Sequence, residues 1–238
     1  VKICSALFRP LRVELGQYIY LWIPTASFWS FLQSHPFTVT SWSEEKQTSL
    51  DLLVEPHREI TRRLIYQSKA AAKASRSIMH SVAFFTGPHG ASASAGKQEK
   101  VLIVASGFCI ATQLPYLKKL IYGYNACTTR TLRVRLCMWI LCLWVDIGIA
   151  VQTFLNDTLA DDTLNEGYIL SISLYIKSGR IDSVPFGRHA MLYDGSADFA
   201  VILREEVSGR YIERVPGEKP GDVLVMGRMF NTLLLSTC

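Results

Sequence analysis

Apolar and polar positions change their spacing along this chain, and the changes mark its parts. From Val1 to about Trp42, β-branched and aromatic residues are punctuated by Pro10, Gly16, Pro24 and Pro36, as in short strands joined by turns. Gln17–Ile23 and Phe37–Trp42 read as strands, and Leu50–Val54 as a third after the polar turn Glu44–Thr48. Val1–Arg9 is expected to be a damaged first strand. Short strands with such turns predict a β-barrel or sandwich.

The period then lengthens. In Pro56–Gln67, Ile60, Leu64 and Ile65 share one helical face, while Arg58, Arg62 and Arg63 lie elsewhere. Lys69–Ser77 is the frayed end of this helix or a linker. Val82–Phe85 reads as the last strand of a first domain. The small residues Ala91–Gly96 are the expected boundary, which places a β-domain at 1–90 and a second domain at 97–238.

Strands and helices alternate in the second half. Val101–Val104 is a buried strand. A helix follows, with Thr112 as candidate N-cap, Pro115 in its first turn and Gly123 at its end. Leu132–Leu136 alternates with Arg133 and Arg135 as a strand. Asp146–Leu159 reads as a helix, Tyr168–Ile176 as a strand, Asp198–Val207 as a helix and Val223–Met226 as a final strand. This order predicts a Rossmann-like parallel sheet covered on both faces. The fold class is therefore β + α/β.

Composition narrows the function. The 238 residues are 49% hydrophobic and 19% charged, as in a globular protein with a substantial core. The net charge of +5 comes without a Lys/Arg block, so a nucleic-acid groove is not expected. Six cysteines (Cys4, Cys109, Cys127, Cys137, Cys142, Cys238) form no zinc spacing and no C-x-x-C pair, and no metal site is expected. The longest strongly apolar run, Leu136–Val145, has ten residues. That is half of the roughly 20 a spanning helix needs, so no membrane span is expected. The chain begins at Val1 without a leader, as expected of a region from a longer protein.

Three segments carry candidate chemistry. In His35-Pro36-Phe37-Thr38, the proline sets the backbone entry angle, Phe37 offers a flat apolar surface, and Thr38 a hydroxyl for a heterocycle edge. Gly87-Pro88-His89-Gly90 is a tight turn by composition; His89 has no identifiable carboxylate partner. Gly107-Phe108-Cys109-Ile110 follows a strand and precedes a helix, the context of a dinucleotide turn. Asp161/Asp162 and Glu205/Glu206 read as solvated charge.

The segments Gly16–Trp42, Phe84–Gly90, Val101–Cys127 and Asp161–Ile176 resemble the cytosolic dehydrogenase region of fungal ferric reductases, relatives of NADPH oxidases. The resemblance covers most of Gly16 to about Met226. It implies a ferredoxin-reductase-like pair, an antiparallel β-barrel flavin domain followed by the nucleotide domain. FAD would lie along His35, Pro36, Phe37, Thr38 and Val39, with Thr61 at its pyrophosphate. NADPH would use Gly107, Cys109, Ile110 and Gln113, with Gly87, Pro88, His89 and Gly90 bordering its cleft. Hydride would pass from NADPH to FAD, and electrons would leave for hemes of a transmembrane domain in the parent protein, reducing ferric or cupric ions. The region would then face the cytosol at the plasma membrane.

Departures from the family pattern keep other readings open. Glu59 stands where relatives carry glycine, and Cys109 adds bulk where a glycine usually meets pyrophosphate. Cys137–Leu143 looks like an insertion. No acidic residue directly follows Leu136 to select NADH, so NADPH is implied by the resemblance alone. The carboxy end also differs, with Gly227 taking part of the role of the small residues that hold nicotinamide. The alternatives are an NADPH oxidase-type domain that reduces oxygen and a non-catalytic nucleotide-binding remnant.

Overall fold

The computed structural model describes residues 2–24, 34–55, 61–62, 66, 70, 81–141, 154–164, 169–177, 190–214, 216–219 and 221–228. The chain divides into two compact units, Val1–Ser92 and Ala93–Cys238.

The first unit is antiparallel. Strand β1 (Lys2–Leu11) pairs with β4 (Gln47–Leu53), and β2 (Tyr18–Trp22) lies between β3 (His35–Thr38) and β5 (Phe84–His89). The two sheets touch through an isolated bridge between Val39 and Leu52. Among the described residues the expected barrel is thus two sheets joined at one corner. Strand β1 is not damaged: it pairs continuously from Lys2↔Leu53 to Ala6↔Ser49 before a shift in register. The strand expected at Phe37–Trp42 begins two residues earlier and stops at Thr38, and the Thr40 amide donates instead to the Asp51 carbonyl at 2.8 Å. Strand β4 takes in Gln47 and Thr48, which composition had assigned to a turn.

Period-two alternation fills this unit's core. Ile19 and Leu21 of β2, Phe37 and Val39 around β3, and Leu50 and Leu52 of β4 pack with Val13, Ile23 and Val54. The expected helix at Pro56–Gln67 lies mostly outside the described residues; Thr61, Arg62 and Tyr66 within it are helical.

The second unit carries one parallel five-stranded sheet, ordered β10-β6-β7-β8-β9. The strands are β6 (Lys100–Ser106), β7 (Arg133–Leu141), β8 (Leu170–Lys177), β9 (Ala190–Asp194) and β10 (Val223–Arg228). Every residue of β6 is buried, as a parallel strand covered on both faces requires. Strands β6 to β9 run outward in one direction and β10 returns to the other side of β6. The order therefore reverses at β6/β10, and ligands of such sheets bind outside the carboxyl ends at that point.

Helix α1 (Leu114–Asn125) buries Leu114, Leu117, Leu120 and Ile121 on one 3.6-period face. It neither starts nor ends where expected. A 3₁₀ turn, Gly107–Thr112, precedes it, and Thr112 Oγ1 donates to the Cys109 carbonyl at 2.9 Å instead of capping. Gly123 lies inside the helix because a Cβ there would stand 3.1 Å from Thr129 Cγ2. The helix closes two residues later, before Cys127 at φ 55°.

Strand β7 runs through most of the segment that looked like an insertion. Cys137, Met138 and Trp139 pair in register with Val104, Ala105 and Ser106 on one side and Ser173, Leu174 and Tyr175 on the other. Residues 142–143 lie outside the described set. Of the helix expected at Asp146–Leu159, residues 154–159 are described and helical, and the helix continues to 161. Edge strand β9 has no counterpart in the sequence reading: most of its residues face solvent, so no burial pattern announces it.

Helix α2 (Phe199–Ser208) is capped by Asp198, whose Oδ1 accepts from the amides of Ala200 and Val201, both at 3.1 Å. Ile202 packs on Leu102, Val104, Cys137 and Tyr175. Glu206, read from sequence as solvated, is 3% exposed and paired with Arg133 and Arg135, each at 3.2 Å. Asp162 is likewise buried, its Oδ2 accepting from the Leu170 amide at 3.1 Å. Both carboxylates serve the architecture of the sheet.

Candidate functional site

In the first unit the structure brings two distant motifs onto one strand. β2 pairs with β3 through Tyr18↔Thr38 and Tyr20↔Pro36, and with β5 through Tyr18↔His89 and Tyr20↔Thr86. On the face opposite the core this makes two rows, Thr38–Tyr18–His89 and Pro36–Tyr20–Thr86. Thr38 and His35 are half-buried and Pro36 is exposed. Phe37 and Val39 point the other way, 9% and 1% exposed within the core. This corrects the expectation that Phe37 offers its ring to a ligand: alternation along β3 commits it to packing, and only its backbone borders the outer face.

Gly87-Pro88-His89-Gly90 is not a free turn. β5 continues to His89, and three steps on β5 (Thr86 to His89) oppose two on β2 (Tyr20 to Tyr18), which is a bulge at Gly87-Pro88. The Gly87–Pro88 peptide is cis, and Gly87 has φ 123°. The bulge returns His89 to the outer face. Its ring lies 5.7 Å from Tyr18 and 5.5 Å from Tyr20, and its Nε2 is hydrogen-bonded to Thr86 Oγ1 at 3.4 Å. Tyr18 and Tyr20 meet edge to face at 5.5 Å. Hydrogen bonding to Tyr20 raises the Tyr18 phenol above its ordinary range. Sequence reasoning missed both tyrosines; the alternation Tyr18-Ile19-Tyr20-Leu21 was the signal that could have found them.

The far end of this cluster is tied down. Gln17 Nε2 donates to the Gly90 carbonyl at 3.3 Å, and Gln17 Oε1 accepts from the Glu14 amide at 2.7 Å. Gly90 has φ 99°, and a Cβ there would stand 3.4 Å from the Tyr18 ring. Thr61 is helical and 8% exposed while Arg62 is exposed. Glu59 lies outside the described residues.

In the second unit, β6 ends at Ser106 and turns at Gly107, φ 53°, into the 3₁₀ turn and α1. Neither the turn nor the helix has a side-chain cap on its first amides. Gln113, at the junction, is 5% exposed and its Oε1 accepts no hydrogen bond among the described residues. An uncapped helix start at the carboxyl end of β6 suits a phosphate. Cys109 and Ile110 are buried, at 8% and 0% exposure.

Electrostatics exclude another route to phosphate. Arg135 lies under α2, where burial opposes its charge but the neighbouring Cys137, Glu206 and Tyr211 more than compensate, so it stays firmly protonated. Arg133 stacks its guanidinium 4.3 Å from the Tyr211 ring centroid while holding Glu206. Neither arginine is left for a nucleotide. Burial pushes the Cys137 thiol up to about 11, despite the opposing Arg135 charge, so it is no nucleophile at neutral pH. Among the described residues no group of His, Cys, Asp and Glu assembles as a metal site, and no helix is long and apolar enough to cross a membrane.

The residues present fit both expected cofactors. The outer face of β3-β2-β5 combines rings in edge-to-face and tilted contact, hydroxyls and a glycine bulge, with no lysine, arginine or carboxylate in either row. The Gly107 turn leads into a helix start without a side-chain cap, beside the buried carboxamide of Gln113.

Residues 5–93 match a family model described as an FAD-binding domain. No curated protein matches the sequence. Among solved structures, the chain is similar to the CS-b5R domains of human Ncb5or in the NAD+ form, with 15% identity and a TM-score of 0.53, over 94% of this chain and 57% of that one. It is also similar to flavohemoglobin from Malassezia yamatoensis with bound FAD and heme (16% identity, TM-score 0.42, covering 95% of this chain and 60% of that one). A third is ferredoxin-NADP+ reductase from Plasmodium falciparum, at 10% identity and a TM-score of 0.45, covering 95% of each chain. The likeness to the human protein shows a shared fold. The chain spans less than two thirds of the length of the first two structures.

Proposed function

We propose that this chain is an electron-transfer flavoprotein region: FAD lies on the outer face of β3-β2-β5, in a barrel closed in full, and NADPH lies at the Gly107 turn. The observation that carries this reading is the convergence on β2 of His35–Thr38 and Phe84–His89, segments about fifty residues apart. The match of residues 5–93 to an FAD-binding domain supports FAD binding by the first unit. FAD, when bound, supplies the two-electron to one-electron conversion that the polypeptide lacks. The protein's part is positioning. Thr38 and Thr86 offer hydroxyls beside the tyrosines, the bulge at Gly87 leaves room for close approach, and the start of α1 neutralises phosphate with backbone amides.

Beyond this, the resemblance to fungal ferric reductases assigns the acceptor: hemes of a transmembrane domain in the parent protein, with ferric or cupric ions reduced on the far side of the plasma membrane. An oxidase-type region that reduces oxygen is the second reading, since the acceptor belongs to the parent's other half. The remnant reading is weakened at one of its motives, because residues 137–141 of the apparent insertion are strand residues of β7.

The test is reconstitution of the purified chain with FAD, followed by NADPH or NADH and then ferricyanide or a ferric chelate. The proposal expects saturable FAD binding and faster turnover with NADPH than with NADH. Failure to bind FAD overturns it; FAD binding with NADH preferred overturns the choice of nucleotide.

A further inference from the structure

We infer that two copies of this chain join through β9, edge to edge about a two-fold axis, so that their parallel sheets become one continuous sheet. Strand β9 ends one side of the five-stranded sheet, and among the described residues only β8 pairs with it. Met191, Leu192 and Tyr193 are 63%, 48% and 36% exposed. Edge strands that stay single are blunted by lysine, proline or a bulge. Ala190–Asp194 has none of these, and its pairing with β8 runs without a shift in register. The Tyr193 ring is stacked on Tyr175 at 4.9 Å and 14°, which fixes it beside the open edge.

The backbone decides which partner fits. The Gly195 amide donates to the Ile176 carbonyl at 2.8 Å, and successive residues of a strand direct their backbone groups to opposite sides. Met191 and Tyr193 therefore bond back to β8, while Ala190, Leu192 and Asp194 turn their amides and carbonyls outward. A second β9, running antiparallel and centred on Leu192, sets Leu192 against its copy and Ala190 against Asp194. Every outward group then meets its complement, because such pairs exchange both bonds. Between them Met191 faces the copy's Tyr193 in the closer pairs, and thioether and ring attract there. Asp194 is the strand's single charged residue; it lies opposite Ala190, so no like charges are opposed. Each chain has one β9, and the assembly closes as a dimer.

The test is sedimentation of the full chain over a range of concentrations, with Leu192→Lys, Val207→Lys and Leu192→Cys beside the wild type. The wild type should sediment as a reversible dimer. Leu192→Lys sets two ammonium groups against each other and should raise the dimer dissociation constant about a hundredfold. Val207→Lys adds the same charge at an exposed position of α2 and should leave the constant unchanged. The Cα atoms of a hydrogen-bonded pair stand about 5.5 Å apart, within disulfide reach. Mild oxidation of Leu192→Cys should therefore give a covalent dimer whose peptides join position 192 of one copy to position 192 of the other. That link carries the test if Leu192→Lys does not fold by circular dichroism. A wild type that is monomeric at every concentration overturns the inference. So does a dimer that Leu192→Lys leaves intact, an equal loss in Val207→Lys, or position 192 linked only to the exposed Cys4 or Cys127.

Discussion

Replacing Glu206 by alanine should be among the most damaging single substitutions in the second unit. Its carboxylate is 3% exposed and meets Arg133 and Arg135, each at 3.2 Å. Removing it leaves two guanidinium groups under α2 with little water, and breaking such a pair from one side costs about 3–5 kcal/mol. Four contacts soften the loss. Ser171 and Ser173 lie 3.4 Å from Arg133 Nη2 and Arg135 Nε, Glu205 remains 3.7 Å from Arg135, and Tyr211 stacks on Arg133. The expected cost is therefore about 3 kcal/mol, the lower end of that range. Hydrogen exchange on peptides from β7 and β8 isolates the second unit from the first, and a loss of this size accelerates exchange there by about two powers of ten. A companion variant separates charge from packing. Arg133→Met, Arg135→Met and Glu206→Leu together remove the buried charges, and exchange should return to the wild-type rate or slower. Wild-type exchange in Glu206→Ala would refute the reasoning. So would a triple variant as labile as the single one, since the cost would then be one of packing.

Three further outcomes follow from the same geometry. Alkylation of the native protein with iodoacetamide, read by peptide mass spectrometry, should label the exposed Cys4 and Cys127 and spare Cys109 and Cys137, the latter held protonated at neutral pH by burial; labelling of Cys137 as fast as Cys4 would contradict this. Gly87→Ala places a side chain at φ 123°, 3.1 Å from His89 and 3.2 Å from the Tyr18 carbonyl, and should cost the first unit about 1–3 kcal/mol, visible as a lower midpoint in urea. Tyr211 donates to Glu205 at 2.8 Å and this hydrogen bond, with Arg210 and Arg135, lowers the Glu205 pKa. The stability it contributes is therefore complete above the ordinary carboxylate range of about 4.3 and lost as pH falls through the lowered value. Tyr211→Phe should be less stable than wild type at neutral pH, with the gap closing in acid; a gap that widens in acid would reverse the sign.

The parts of the fold legible in the sequence were those with a burial period. β2, β8, α1 and α2 show one, because one face must be apolar, and β6, buried throughout, shows as a continuous apolar run. What escaped had another cause. Edge strand β9 pairs on one side only and stays exposed, so its pattern resembles a loop. The paired carboxylates of Glu205/Glu206 looked solvated because charge on a helix usually is; the arginines that bury Glu206 come from a strand some seventy residues away. Cys137–Leu143 read as an insertion because it departs from the pattern of the resembled family, and residues 137–141 are the end of β7. At the site, His35–Thr38 and Gly87–Gly90 were found as motifs, yet the alternation that sends Phe37 inward and Tyr18 and Tyr20 outward shows its meaning only once β2 has neighbours.

The most direct test of the account is the visible absorption spectrum of the purified full chain after incubation with FAD, before and after anaerobic addition of NADPH. Flavin bands that remain with the protein through gel filtration and bleach when nucleotide is added are the predicted result. A folded protein that elutes colourless, or bound flavin that NADPH leaves oxidised, would contradict it.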